Sequence, residues 1–192
     1  MSNKGRVIVI SGPSGVGKST ICNIILKKRN DLWFSISTTS RVQRKGEQQN
    51  REYIFISKSS FLEQIKQNRF LEYAEVHGNL YGTPREPLEK VLEGGKNVLL
   101  DIDVQGAQKI MTLFSAGIFI FLIPPKFGDL KERLQKRNTD NTDEISKRLI
   151  QAQKEMEYMK DYKYIIQNIK IADTVRSILE ILKNELDRNA EL

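Results

Sequence analysis

The amino-acid sequence predicts an α/β fold, in which a mostly parallel β-sheet is flanked by helices on both faces. One observation is the order of the segments: short β-branched runs alternate with longer stretches whose apolar residues recur at helical spacing. The other observation is the start of the chain. Val7–Ile10 is a short apolar run, as expected of a buried parallel strand, and a glycine-rich loop and then a helical stretch follow it. The 192 residues suit one compact domain with insertions.

The remaining elements follow from local periodicity and from the positions of glycine and proline. Runs of β-branched and aromatic residues predict strands, and apolar residues at helical spacing predict helices. Gly78–Pro84 predicts a tight connection into the helix that follows it. The predicted strands are 7–10, 32–37, 52–57, 70–76, 97–103, 118–123 and 164–167, and the predicted helices are 20–28, 59–67, 85–93, one from about 104, 129–138, 144–160 and 175–189.

The charge and the rare residues of the chain exclude several classes of protein. A formal net charge of +7 permits nucleic-acid binding, but surplus arginine and lysine also suit a cleft for phosphorylated small molecules. The single cysteine, Cys22, excludes an internal disulfide, and we expect this residue to be buried. The single histidine, His77, excludes a multi-histidine zinc site and argues against a Ser–His nucleophile pair.

We expect neither a targeting signal nor a membrane span in this sequence. Residues 1–6 contain no apolar stretch, so we expect no signal peptide. No apolar run approaches the length of a membrane span. We therefore expect a soluble cytoplasmic protein, a monomer or a homodimer, with neither a membrane nor a nucleic acid as partner.

Gly12–Thr20 has the pattern of a phosphate-binding loop, since it fits G-x-x-x-x-G-K-[ST] at every fixed position. Its glycines allow a tight turn that aims backbone N–H groups at a polyphosphate. Lys18 can reach the β- and γ-phosphates, and the Ser19 hydroxyl is placed to ligate Mg²⁺. The alternative is a chance glycine-rich turn, which the strand before it and the helix after it disfavour.

Arg41 and Arg44 lie three positions apart in a loop rich in hydroxyl groups, 38–47. Two guanidinium groups at this spacing suit a clamp on a single phosphate. The alternative is a pair of solvated arginines in a basic loop, and the spacing taken alone favours that alternative.

Asp101 and Asp103 follow the apolar run Val98–Leu100, so they lie at the C-terminal end of the predicted buried strand 97–103. Side chains two residues apart on a strand point to the same side. Carboxylates at this place in a phosphate-loop enzyme support Mg²⁺ or its waters. They can equally cap the helix that starts near Val104, and we expect both roles.

Several segments together resemble guanylate kinases, and the resemblance runs from Arg6 to about Asn184. The sequence departs from the family pattern at Gln43, where proline is usual, at Ile169, where aspartate is usual, and at Ser40, where threonine is commoner. The resemblance implies a phosphate-loop NTPase fold and transfer of the γ-phosphoryl group of ATP to GMP with Mg²⁺ as cofactor; dGMP is a further candidate acceptor. The segments that carry it are Gly12–Thr20, Ser37–Arg44, Gly78–Thr83, Leu100–Gly106 and Lys147–Leu149.

The resemblance also implies roles for individual side chains. The residues that match the guanine contacts are Ser37, Glu72, Thr83 and Asp101, and we add Asp103 to this GMP set. The residues that match the clamp on the GMP phosphate are Arg41, Arg44, Tyr53 and Tyr81. The catalytic set is Lys18, Arg44, Arg137 and Arg148, and the metal ligand is Ser19. The ATP set is Ser14, Gly15, Val16, Gly17, Lys18, Ser19, Thr20, Arg133 and Asn168, of which Asn168 matches a residue near the ATP base.

We expect a single domain over residues 1–192 that has three parts. The core comprises about 4–37, 96–125 and 162–192, a small GMP-binding insertion comprises about 38–95, and a helical lid comprises about 126–161. The insertion and the arginine-bearing lid would close over the bound nucleotides, because water would otherwise hydrolyse ATP.

Three other functions are compatible with parts of this pattern. A catalytically inactive guanylate-kinase-like module that binds proteins typically lacks the glycine loop and its lysine, whereas this chain keeps both. A basic nucleic-acid-binding regulator would show a lysine stripe interleaved with exposed aromatic residues. In this sequence the aromatic residues instead lie mostly in predicted strands or beside glycines. A different phosphate-loop kinase for small molecules is the nearest alternative, because the loop alone does not select the acceptor.

Overall fold

A computed structural model describes residues 4–130 and 142–187, and the side chains of residues 142–145, 147 and 148 lie outside the description. The predicted helix 129–138 therefore falls almost wholly outside the described residues, and so do its two arginines, Arg133 and Arg137. The backbone of Arg148 is helical, but its side chain is outside the description.

The described residues alternate between strands and helices, which confirms the predicted α/β class. No helix among them is both long and apolar enough to cross a membrane. In chain order the elements are β1 (Val7–Ser11), α1 (Lys18–Lys28), β2 (Leu32–Phe34), β3 (Thr38–Thr39), β4 (Ile54–Phe55), α2 (Lys58–Lys66), β5 (Phe70–Val76), β6 (Asn79–Pro84), α3 (Arg85–Glu93), β7 (Asn97–Asp101), α4 (Val104–Leu113), β8 (Ile118–Ile123), α5 (Thr142–Met156), a 3-10 helix (Glu157–Asp161), β9 (Tyr164–Gln167) and α6 (Ile171–Asp187).

A five-stranded sheet has the order β2-β7-β1-β8-β9. β2 pairs with β7, β1 with β8 and β8 with β9, each pair in parallel, and Ile8 lies opposite Ile118. β1 is buried along its whole length, and β8 is buried except at its last residue. A strand that is covered on both faces reads as an unbroken apolar run rather than an alternating one. This is why the sequence predicts a mostly parallel sheet correctly.

A second sheet, of four strands, has the order β4-β3-β6-β5. β5 and β6 form an antiparallel hairpin. Its turn is made by His77 and Gly78, whose φ angles are 51° and 76°, and a positive φ at both central residues is the geometry of a type I′ turn. The prediction of a tight connection over Gly78–Pro84 is therefore wrong. Its glycines and proline have the composition of a turn, but most of the segment is strand.

Other boundaries differ from the predictions by a few residues. The strand predicted over 32–37 ends at Phe34, and Thr38–Thr39 instead belongs to the second sheet. The helix predicted over 144–160 becomes a 3-10 helix after Met156, and the closing helix starts at Ile171 rather than at 175. The ends of elements fray and depend on caps and on long-range packing, so local periodicity locates them less well than the centres.

The chain divides into two compact units. One comprises Met1–Val7, Asp31–Leu100 and Gln105–Ala116, and it contains the second sheet. The other comprises Ile8–Asn30, Asp101–Val104 and Gly117–Leu192, and it contains the phosphate loop. The first unit contains most of the predicted GMP-binding residues, and the second contains the predicted ATP-binding residues together with Asp101 and Asp103. The first unit also has a small apolar core of Phe61, Phe70 and Leu80, with Ile56 and Ile65 packed against it.

Candidate active site

The phosphate loop has the backbone conformation that its glycines predict. Gly12, Gly15 and Gly17 have φ angles of 138°, 85° and 106°, which residues with a Cβ rarely adopt. A Cβ on Gly12 would lie 2.3 Å from the carbonyl oxygen of Leu122. α1 begins directly after the loop, at Lys18, and its first turn contains no acidic residue. The positive end of the helix dipole therefore faces the loop, as an anion-binding site requires.

Lys18 is held over the loop by backbone carbonyl groups. Its Nζ donates to Gly12 O at 2.7 Å and to Pro13 O at 3.4 Å. The side chain is half-buried, so the ammonium group lies beside the loop rather than in open solvent. An incoming phosphate would meet a positive charge that is already in position.

Ser19 and Asp101 are in contact although they are distant in sequence. Ser19 Oγ donates to Asp101 Oδ2 at 2.6 Å, and Asp101 is the last residue of β7. Hydroxyl and carboxylate oxygens suit Mg²⁺ as ligands. In the described part of the chain, no group of three or more His, Cys, Asp or Glu side chains could hold a metal by itself. The donor set therefore fits an Mg²⁺ ion that takes most of its ligands from phosphates and water.

Cys22 is buried on α1, as predicted. Burial raises the pKa of its thiol well above the ordinary value, and the nearby charge of Asp101 raises it further. A thiol that stays protonated is a poor nucleophile and a poor metal ligand. Cys22 is therefore part of the packing of α1.

Asn168 lies behind the phosphate loop and fixes its backbone. Its Nδ2 donates to Val16 O at 2.8 Å, and its Oδ1 accepts from Thr174 Oγ1 at 2.9 Å. A Cβ on Gly17 would lie 2.9 Å from the same Nδ2. The role of Asn168 near the ATP base stays a prediction, while its contact with the loop is direct. Sequence analysis did not single out Thr174, since nothing in the local pattern distinguishes it from a solvent-exposed hydroxyl.

Glu155, near the end of α5, is a second anchor of the loop that sequence analysis missed. It is only 4% exposed, and its Oε2 accepts from the backbone N–H of Ser14 at 3.1 Å. Burial raises the pKa of Glu155, and Lys18 and the Ser14 N–H oppose the rise only in part. The sequence signal was weak, because a glutamate in a charged helix is usually solvated.

Glu155 should make the stability of the protein depend on pH. Because its pKa is raised on folding, the folded state binds the proton more strongly than the unfolded chain. Stability is therefore lost as the pH rises from the ordinary glutamate pKa through the raised value, with a slope of at most about 1.4 kcal/mol per pH unit. We expect Glu155→Gln to remove this loss, as measured by urea unfolding between about pH 4 and 8.

The exposed neighbour Glu157 provides the matched control for this experiment. Glu157→Gln should leave the slope of unfolding free energy against pH as it is in the wild type. A Glu155→Gln protein whose slope equals that of the wild type would contradict the assignment of this titration to Glu155.

Glu72 is the centre of the predicted base-binding group. It is 5% exposed on β5, opposite Thr83 on β6, and Thr83 Oγ1 donates to its Oε1 at 2.6 Å. A Cβ on Gly106 would lie 2.7 Å from Glu72 Oε2, so a larger residue at that position would require the carboxylate to shift. Glu72 is therefore not solvated, although β5 is an edge strand of its sheet. Glu72 is a buried carboxylate, and an ionised carboxylate accepts hydrogen bonds but donates none.

Arg41 is packed among the aromatic residues predicted to bind the same phosphate. Its Nε donates to Tyr81 OH at 3.2 Å, and its guanidinium carbon lies 5.4 Å from the ring centroid of Tyr53. Its side chain is 10% exposed, so the alternative of a solvated arginine does not hold. Sequence analysis missed one partner, Glu47, whose Oε1 accepts from Arg41 Nη2 at 2.7 Å. Arg44 is joined to this group through the same carboxylate.

Ser37 and Asp103 also belong to the predicted GMP set. Ser37 is buried, and its carbonyl oxygen accepts from the N–H of Ile54 at 2.9 Å. The charge of Asp103 contributes to the raised pKa of Glu155 and to that of the buried Tyr162, for which burial is the larger cause. The roles that the sequence assigns to Arg133, Arg137 and Arg148 fall on side chains outside the described residues.

Proteins with this arrangement are known, and comparison with them identifies the family. The family model described as guanylate kinase matches residues 4–185. A guanylate kinase of Clostridium tetani is 46% identical over 182 residues, which cover 95% of this chain and 87% of that protein. A guanylate kinase of Thermotoga maritima is 40% identical over 182 residues, which cover 95% of this chain and 88% of that protein.

Solved structures agree with the sequence relatives. The crystal structure of guanylate kinase from Anaplasma phagocytophilum matches with a TM-score of 0.81 at 34% identity, covering 96% of this chain and 87% of that chain. A shikimate kinase from Bacteroides thetaiotaomicron matches with a TM-score of 0.50 at 18% identity, covering 93% of this chain and 98% of that chain. This match shows a similar fold and nothing more. The family model matches residues 4–185, and both relatives are at least 40% identical over 87% or more of their length. This protein therefore belongs to the guanylate kinase family.

Proposed function

We propose that this protein transfers the γ-phosphoryl group of ATP to GMP, giving ADP and GDP. The observation that carries the proposal is an intact phosphate loop, with Lys18 Nζ held 2.7 Å from Gly12 O, in a chain of the guanylate kinase family. A lysine kept in this position serves phosphate chemistry. A module that only binds other proteins would have no use for it.

The donor ATP would lie along the phosphate loop. The loop residues Ser14–Thr20 and the N-terminus of α1 would bind its phosphates through backbone N–H groups other than those of Ser14 and Val16, which donate to Glu155 Oε2 and to Pro13 O. When bound, Mg²⁺ neutralises charge on the β- and γ-phosphates. Ser19 Oγ would ligate the ion, and Asp101 would accept hydrogen bonds from its waters. Arg133 and Asn168 complete the proposed ATP set.

The acceptor GMP would be held by two groups of side chains. Arg41, Arg44, Tyr53 and Tyr81 would bind its phosphate, because guanidinium and phenol groups donate hydrogen bonds to phosphate oxygens. Glu72 would accept from the two donors on the pairing edge of guanine. The same base-binding group would include Ser37, Thr83, Asp101 and Asp103.

The transfer needs positioning and charge neutralisation rather than a general base. The attacking atom is a phosphate oxygen of GMP, which is already anionic at neutral pH. No side chain has to remove a proton, so a chain with a single histidine can carry out the reaction. Donor and acceptor must be held in line, and the charge on the transferring group must be neutralised. Lys18, Arg44, Arg137 and Arg148 are the side chains that we assign to this task.

The three arginines of the catalytic set should act mainly on the transition state. Lysine keeps the charge but cannot form two parallel hydrogen bonds, so Arg44→Lys, Arg137→Lys and Arg148→Lys should each lower kcat well beyond any rise in KM, by about tenfold or more. Steady-state kinetics with both substrates varied measures this. Arg41→Lys is the matched control, since it should raise KM for GMP more than it lowers kcat. If Arg137→Lys changed only the affinity for ATP, that side chain would be a ground-state ligand.

The preferred phosphoryl acceptor distinguishes a guanylate kinase from a different small-molecule kinase. We would incubate the protein with ATP and Mg²⁺ and with GMP, dGMP, AMP, CMP or UMP in turn. GMP should give the largest kcat/KM, with dGMP next. A larger value with AMP, CMP or UMP would overturn the proposal.

We further propose that the protein acts in the cytoplasm on free nucleotides, in purine nucleotide metabolism and the recycling of GMP. It would work as a monomer or a homodimer. Neither a membrane nor a nucleic acid is needed, because both substrates are small molecules.

A further inference from the structure

Glu47 uses both oxygens of its carboxylate to tie together the two arginines of the predicted phosphate clamp. Its Oε1 accepts from Arg41 Nη2 at 2.7 Å, and its Oε2 accepts from the backbone N–H of Arg44 at 2.8 Å. Its own N–H donates back to Arg44 O at 3.1 Å. This turn has Gly46 at its third position, with a φ of 90° that favours glycine there. One side chain therefore fixes both the guanidinium of Arg41 and the backbone of Arg44.

Each of the three guanidinium nitrogens of Arg41 donates to a protein acceptor. Besides Glu47, Nε donates to Tyr81 OH at 3.2 Å and Nη1 donates to Val42 O at 2.9 Å. The guanidinium carbon lies 5.7 Å from the ring centroid of Phe55. Burial alone lowers the pKa of Arg41, but the hydrogen bond that Arg41 donates to Glu47 and the contact with Tyr81 more than offset this lowering. Arg41 is therefore a rigid cation before any anion binds.

Arg44 differs from Arg41 in this respect. Within residues 4–130 and 142–187, its guanidinium has no hydrogen bond and no ion pair. Among the described residues, its backbone makes two hydrogen bonds with Glu47, whose charge also attracts the guanidinium. The loop thus presents one fixed guanidinium and one whose donors are open to a phosphate.

We infer that Glu47 is a positioning residue for the acceptor phosphate: it holds Arg41 and the 41–44 loop in the conformation that receives the phosphate of GMP. This inference rests on the proposed function, in which that loop binds the acceptor. Glu47 would not touch the phosphate, since two anions repel each other. A guanidinium that is already oriented loses less side-chain entropy when the ligand binds.

The chain offers a matched control a few residues away. Glu52 makes the same two kinds of contact: its Oε1 accepts from Arg51 Nε at 2.6 Å and its Oε2 accepts from the N–H of Gln48 at 2.7 Å. This pair is more exposed, however, at 54% for Arg51 and 34% for Glu52. Arg51 has no assigned contact with substrate. Glu47→Gln and Glu52→Gln therefore remove the same charge from the same pattern, and only the first should act on the phosphate clamp.

The test combines titration with steady-state kinetics. Glu47→Gln should raise Kd and KM for GMP about tenfold, because a charged hydrogen bond to Arg41 is lost, while kcat and KM for ATP change less than about threefold. Guanosine lacks the phosphate, so its inhibition constant should not change. Glu52→Gln should leave all these constants within about twofold of the wild type. In an Arg41→Ala background, Glu47→Gln should weaken GMP binding less than it does in the wild type, since only its hydrogen bond with the Arg44 N–H is still there to be lost.

Three results would overturn the inference. One is unchanged or tighter binding of GMP by Glu47→Gln, which would mean that Glu47 is indifferent or competes with the phosphate. Another is an equal rise in the inhibition constant of guanosine. The third is a rise in Kd for GMP in the Arg41→Ala background as large as the rise that Glu47→Gln causes in the wild type. If Glu47→Gln does not fold, as judged by thermal unfolding, Glu47→Asp replaces it; its shorter reach should give the same selective loss. Titration needs no phosphoryl transfer, so it tests Glu47 even if the wild-type protein proved inactive as a kinase.

Discussion

Replacing Lys18 by alanine is expected to lower kcat by a factor on the order of 10² or more, while the fold is kept. The physical reason is the position of the ammonium group, which lies beside Gly12 O and Pro13 O at the phosphate loop. In the reaction it would neutralise charge that grows on the transferring group. The alanine variant retains the N–H groups of the loop, so ATP should still bind, more weakly. Single-turnover kinetics at saturating ATP and GMP measure the effect on the chemical step.

Lys27 provides the control, because it is an exposed lysine on the same helix, α1. Lys27→Ala changes the net charge by the same amount but should leave kcat within about twofold of the wild type. Near-normal turnover of a purified and folded Lys18→Ala protein would contradict the assignment of the loop to the donor phosphates.

Replacing Glu72 by glutamine is expected to narrow the preference for GMP over AMP and to cost about 1–3 kcal/mol in kcat/KM for GMP. Guanine presents two adjacent donors, N1–H and the 2-amino group, and a carboxylate can accept from both. Adenine presents an acceptor at N1, which would face a buried negative charge. A mismatch of this kind gives strong discrimination, because a desolvated polar group is left unpaired.

The structure strengthens this expectation, because the carboxylate is 5% exposed and is fixed by Thr83 Oγ1 at 2.6 Å. Glutamine keeps the shape and the acceptor for Thr83 but turns one acceptor into a donor. Glu75→Gln on the same strand is the control, since Glu75 is exposed. The measurement is kcat/KM for GMP and for AMP in each protein. An unchanged ratio in Glu72→Gln would mean that the base is recognised elsewhere.

The sequence predicted best what local chemistry decides. The phosphate loop was predictable because glycine is the residue that adopts positive φ without strain, and Gly12, Gly15 and Gly17 all do so. β1 and β8 were predictable because buried parallel strands need unbroken apolar runs. Helix α3 was predicted with the same ends as in the structure, since Pro84 precedes it and two glycines follow it.

What the sequence did not reveal depends on contacts between distant residues. Glu155 binds the N–H of Ser14 across 141 positions, and Asn168 binds Val16 O across 152 positions. No local pattern tells a buried glutamate from a solvated one. The hairpin of β5 and β6 was missed for a related reason: glycine and proline favour turns locally, but pairing with β5 makes Asn79–Pro84 a strand.

The most direct test of the central claim follows the γ-phosphoryl group itself. We would incubate the wild-type protein with Mg²⁺, GMP and ATP labelled at the γ-phosphate, separate the nucleotides and locate the label. The proposed function predicts that the label appears in the β-phosphate of GDP in an amount equal to the ADP formed, with little inorganic phosphate. Label released chiefly as inorganic phosphate would show an ATPase, and label that stays in ATP would show a binding module; either result would contradict the account.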